Sequence, residues 1–142
     1  MVRGRWFALL LASLLLAAAP DAAAARKVTW SAVEVQAGDD SKAVARSLKK
    51  LLRRETKRAK WGKGKSLQLS ARVTQLTWEK SDDVVRVTVT AFAKIDGGKG
   101  ARSHIRIGGS PKERRKLLRQ ALSIVSSGLV TRLSTIARTG DD

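Results

Sequence analysis

Residues 85–95 alternate with a period of two. Val85, Val87, Val89, Ala91, Ala93 and Ile95 fall in one phase, and Arg86, Thr88, Thr90, Phe92 and Lys94 in the other. A helix repeats its side chains about every 3.6 residues and would scatter both sets around its axis. A strand sorts them onto two faces. One face is aliphatic and must be covered by another layer. The other is polar enough to stay shallow, as in a sheet packed on one side. Any fold for this chain has to contain that half-covered sheet.

The flanking segments supply its partners. Ala101–Ile107 alternates as well, with Ile105 and Ile107 opposite Arg102, His104 and Arg106. The turn signal Asp96-Gly97-Gly98-Lys99-Gly100 separates the two runs. Upstream, 66–78 reads as a strand in which Leu67, Leu69, Ala71 and Val73 hold one phase and Leu76 and Trp78 the other. The slip at Thr74-Gln75 predicts a bulge, and Glu79–Asp83 is a polar turn. Val28–Gln36 (VTWSAVEVQ) is rich in β-branched residues and predicts a first strand. Trp30 and Ala32 share one of its phases, Val33 and Val35 the other. Such a strand is buried on both sides or carries a bulge.

Two segments switch to the helical period. Asp40 or Ser41 is placed to cap a helix from Lys42 on which Val44, Leu48, Leu51, Leu52 and Ala59 form the apolar stripe. Trp61-Gly62 ends it, with Gly62 available for a left-handed backbone. Ser110-Pro111-Lys112-Glu113 has the order of a capping box with proline at the first helical position. It opens a helix striped by Leu118, Ala121, Leu122, Val125, Leu129, Leu133 and Ile136. Gly128 costs that helix about 1 kcal/mol relative to alanine and marks a close contact or a bend. The order is β-α-β-β-β-α. It implies an α+β two-layer sandwich, one mixed sheet of about four strands with both helices on one face.

Residues 1–25 lie outside that domain. Arg3 and Arg5 precede a thirteen-residue apolar run, Phe7–Ala19, then Pro20 and the small residues Ala23-Ala24-Ala25. This is the layout of a cleaved secretory signal peptide, and the run is short of the about 20 residues needed to span a bilayer. The expectation is one α+β domain at 26–140, exported to the periplasm or the extracellular space and soluble. No cysteine follows the run to accept a lipid anchor. The whole chain is cysteine-free, so disulfides, zinc–thiolate centres and thiol nucleophiles are excluded.

Charge narrows the function class. The chain has 29 Lys and Arg against 12 Asp and Glu. Setting aside Arg3, Arg5 and Asp21 leaves 27 against 11, a net +16 on 117 residues. A soluble small domain ordinarily carries about 2–8 charges of net magnitude. Such an excess repels itself and attracts polyanions. Strand parity places Arg72, Arg86, Lys94, Arg102, His104 and Arg106 across the open sheet face, with Thr88 and Thr90, and offers Phe92 a place there as well. A second basic surface lies on the first helix, at Arg46, Lys49, Lys50, Arg53, Arg54, Lys57 and Arg58. The segment Lys42–Lys65 has eleven bases against Glu55 alone. The expected partners are an anionic envelope polymer, a lipid headgroup or an acidic protein. Cytoplasmic nucleic acid is not among them: tyrosine is absent, and Trp30, Trp61, Trp78 and Phe92 are assigned to the core rather than to base stacking.

Catalytic chemistry is thinly supplied. His104 is the single histidine, with no acid or nucleophile near it in sequence. Asp39-Asp40 and Asp82-Asp83 are explained by capping and turns, and Glu34 and Glu79 by pairing with neighbouring bases. The glycine–lysine runs at 62–65 and 97–100 lack phosphate-loop spacing. No metal and no cofactor is expected.

Val73-Thr74-Gln75-Leu76, the charged turn Glu79–Asp83 and the Ser110–Arg138 helix follow one another in an order that resembles a group of exported α/β domains. These occur in the curli-secretion lipoprotein, in penicillin-binding-protein-activator lipoproteins and, with a related fold, at the N-terminus of the Tol–Pal β-propeller protein. The chain departs from that group in lacking the lipidated cysteine and the small-Asp-Tyr-hydrophobic entry to the second strand. The resemblance implies a cell-envelope accessory protein that works by binding, and it assigns no site residue. Three readings follow: a non-catalytic module for a polyanion or acidic partner, an envelope-assembly adaptor recognising one protein, and a small hydrolase dependent on His104.

Overall fold

The computed structural model describes residues 26–36 and 40–140. Residues 1–25, which hold the expected signal peptide, residues 37–39, including Asp39, and residues 141–142 lie outside the described residues. Strand β1 (Val28–Val35) leads to helix α1 (Ser41–Arg58). Strands β2 (Leu67–Ser81), β3 (Val84–Ile95) and β4 (Gly100–Gly109) follow, then a single 3-10 turn (Pro111–Glu113) and helix α2 (Arg114–Thr139). The sheet order is β1-β2-β3-β4; β1 runs parallel to β2, and β2, β3 and β4 form an antiparallel meander. The fold is the expected α+β sandwich with both helices on one face.

Both phase slips are bulges. In β1 the register jumps between Trp30 and Ala32, leaving Ser31 outside the pairing, its hydroxyl donating to the Leu69 carbonyl at 3.2 Å. That extra residue brings Trp30, Val33 and Val35 to the core face and sends Ala32 to the other. Two phases that seemed to oppose each other thus belong to one face. In β2 the jump is at Thr74, so Leu69, Ala71 and Val73 before it share the core with Leu76 and Trp78 after it.

The core lies between sheet and helices. Leu48 and Leu52 of α1, Leu69 of β2, and Leu122, Leu129 and Leu133 of α2 are its largest fully buried side chains. Each contributes about 1.5–3 kcal/mol of burial. Helix α2 buries a wider face than one stripe. Leu117, Val130 and Ala137 are in the core, whereas Leu118 and Ile136 are half-buried. The reason is that α2 packs on β3, β4 and α1 together, so its apolar arc must serve a sheet and a helix at once. Gly128 is a close contact and not a bend: a Cβ there would stand 2.9 Å from the Ser103 hydroxyl oxygen on β4.

Two helix ends differ from expectation. Asp40 occupies the N-cap of α1 through its backbone carbonyl, which accepts from the Val44 N–H at 2.9 Å; its side chain makes no cap hydrogen bond. Ser110 accepts from the N–H of Lys112 at 3.4 Å, and Glu113 N–H closes a tight turn on the Ser110 carbonyl. This is a 3-10 turn ahead of α2 in place of a reciprocal capping box. At the other end of α1, Trp61 folds back. Its indole donates to the Thr56 carbonyl at 2.9 Å, satisfying a group the helix leaves open. The Thr56 hydroxyl accepts from the Trp30 indole at 2.9 Å and donates to the Leu52 carbonyl at 2.6 Å. One threonine therefore links β1, α1 and the segment after it. Gly62 takes the expected left-handed backbone, at φ 80°, beyond the helix proper.

Candidate anion-binding surfaces

The open sheet face gathers all six predicted residues. Cross-strand register sets Glu34, Arg72, Phe92 and Arg102 in one row, Gln75, Thr90 and His104 in the next, and Thr77, Thr88 and Arg106 in the one beyond. Arg86 pairs with Glu79, and Lys94 with Ser70. The face is more mixed in charge than its bases suggest. Glu79 accepts a hydrogen bond from Arg106 at 2.7 Å, and Glu34 stands 3.8 Å from Arg72. Both pairs are more than half exposed, so each is worth at most about 1 kcal/mol. Their effect on the local field is larger: two of the five cations have a counter-charge at hand.

Side chains alone close part of this face. Thr88 and Thr90 are buried although no helix covers them. Thr90 donates to the Gln75 side-chain oxygen at 3.0 Å and lies 2.7 Å from Nδ1 of His104. Phe92 follows its strand parity and not its assignment to the core. It is 44 % exposed on this face and is not a core residue. The Arg102 guanidinium stands 5.8 Å from its ring centroid, within cation–π range. The Arg102 carbonyl is in turn gripped by Arg132 from α2.

The second surface is a groove between the helices. Arg46, Lys49, Lys50, Arg53, Arg54 and Lys57 line it from α1, and Lys116 and Arg119 from α2, above Leu51. Its remaining walls are Ser47, Gln120 and Ser123. Eight cations and no carboxylate share one concavity, whose α1 wall runs about 16 Å from Arg46 to Lys57 at about 1.5 Å per residue. The local cause is spacing. Positions 46, 49, 50, 53 and 57 recur at three and four residues and stack on one side of α1. Positions 116, 119, 120 and 123 do the same on α2. Lys116 and Arg119 are absent from the sequence reading, in which α2 shows only its apolar stripe; the i, i+3, i+4, i+7 spacing of 116, 119, 120 and 123 is the available signal. Arg58, also on the basic surface of α1, is placed differently. It lies outside the groove, 3.9 Å from Glu55.

His104 has a hydroxyl partner and no carboxylate at hydrogen-bonding distance. Among the described residues no cluster of three or more His, Cys, Asp or Glu is placed to hold a metal ion. No helix of the described residues is long and apolar enough to cross a membrane.

No family model and no curated protein matches the chain. Among solved structures it is similar to a minor lipoprotein from Acinetobacter baumannii, with TM-score 0.49, 13% identity, and 77% of this chain and 93% of that one covered. A putative lipoprotein from Caulobacter crescentus matches with TM-score 0.49 and 9% identity over 81% and 92%. The PelC dodecamer from Paraburkholderia phytofirmans matches with TM-score 0.46 and 17% identity over 72% and 85%.

Proposed function

We propose that this protein is a non-catalytic binding module of the cell envelope or extracellular space that holds a polyanion in the groove between α1 and α2. The observation that carries the reading is the groove itself, eight cations from two helices with no acid among its lining residues. Like charges held this close repel one another, and an anion laid along them relieves that repulsion while releasing its own counterions. The export reading of residues 1–25 directs the module to polymers outside the cytoplasm.

Binding of heparin and of inorganic polyphosphate, titrated against sodium chloride, tests the proposal. Affinity should fall steeply, on the order of a hundredfold or more between 50 and 200 mM salt if about five contacts form. The double variant Lys116→Ala/Arg119→Ala should weaken binding and flatten the slope. A flat salt response in the unaltered protein overturns the reading.

A further inference from the structure

We propose that the open sheet face holds a separate subsite, centred on Phe92, for a carboxylated sugar ring such as a uronate unit of an acidic polysaccharide. The subsite does not rest on the inter-helix groove, which lies on the opposite side of the molecule. Phe92 sits in one cross-strand row with Arg72 on β2 and Arg102 on β4. Beside it, Ala32, Ser70, Gly98 and Gly100 leave a depression, with Lys94 at its side. An exposed aromatic ring flanked by two guanidiniums over a floor of small residues is a stacking platform with anion clamps at both ends.

The chemistry separates a sugar from a phosphate chain. A pyranose presents a face of C–H bonds, whose slight positive charge suits the negative face of an aromatic ring. Its carboxylate matches the planar fork of an arginine, which can hold it bidentately. Arg102 stands near the outer limit of cation–π distance and can turn to a carboxylate without losing a tight contact. Glu34 decides the class. It is exposed at the end of the row, 3.8 Å from Arg72. A carboxylate only accepts hydrogen bonds, and sugar hydroxyls supply donors. An inorganic polyphosphate chain at neutral pH has almost no donor to offer it. The acid-free groove suits dense phosphate or sulfate; the mixed face with its aromatic suits a ring that carries both hydroxyls and a carboxylate.

The test is calorimetric titration of the full chain at about 150 mM salt with three probes: hexagalacturonate, its methyl ester, and inorganic polyphosphate of similar length. Hexagalacturonate should bind and the ester should not. Phe92→Ala should weaken hexagalacturonate by on the order of tenfold, the loss of one stacking contact. Phe92→Trp should retain it, which controls for folding. Lys116→Ala/Arg119→Ala should weaken polyphosphate several-fold more than hexagalacturonate, and Phe92→Ala should do the reverse, so failure of the groove and failure of this subsite read differently. Three results would overturn the subsite: no hexagalacturonate binding, binding indifferent to Phe92→Ala, or polyphosphate binding lost equally in that variant.

Discussion

Thr56 and Gly128 each hold two layers together with very few atoms. The Thr56 hydroxyl is the acceptor for the Trp30 indole and a donor into its own helix. Thr56→Val keeps the shape and removes both roles. The stranded indole donor should cost about 1–3 kcal/mol, read as a lower urea midpoint with an unchanged slope. Gly128 lets α2 approach β4, where an added Cβ would meet the Ser103 hydroxyl at 2.9 Å. Gly128→Ala should therefore destabilise by about 1–3 kcal/mol despite the higher helix propensity of alanine. Adding Ser103→Ala should recover most of that loss, because the Ser103 Cβ is already at an ordinary 3.7 Å. Thermal unfolding of the two single variants and the double variant closes the cycle; no recovery would place the constraint elsewhere.

At the scale of elements, the two helices act as facing walls. Their bases separate into those that line the groove and those that do not, and this divides residues adjacent in sequence. Lys57→Glu reverses a charge inside the groove, whereas Arg58→Glu reverses one beside Glu55 and outside it. Heparin affinity should drop several-fold more for the first than for the second, although both change net charge equally. Equal losses would mean that diffuse charge, not the groove, governs binding. On the sheet side, register does the same sorting. Glu79 lies next to Arg86 in the ladder, yet its hydrogen bond goes diagonally to Arg106 on β4. Strand parity made the open face legible from the sequence, since period two assigns faces without knowledge of partners. It could not show which acids share that face with which bases, because this depends on strand order and on the bulge at Thr74.

Across the whole molecule, a net charge of +17 on 142 residues opposes compaction. A polyanion that binds only the folded state should stabilise it by mass action, by about 2.7 kcal/mol at a hundredfold excess over its dissociation constant. Differential scanning fluorimetry should accordingly show the melting temperature rising with heparin at low salt. The rise should shrink at high salt, where screening acts within about 3 Å at 1 M. A melting temperature indifferent to heparin would separate the charge from binding.

The sequence by itself determined the class of fold, the six elements, the location of the β2 bulge, and the two surfaces on which positive charge collects. These follow from local periodicity and composition, which act within one element. The tertiary structure alone decided the rest. It brought Lys116 and Arg119 to face α1, set Arg58 beside Glu55, and gave Arg72 and Arg106 acidic neighbours. Each of these depends on which face of one element meets another, and that is settled by packing over distances that no local pattern records.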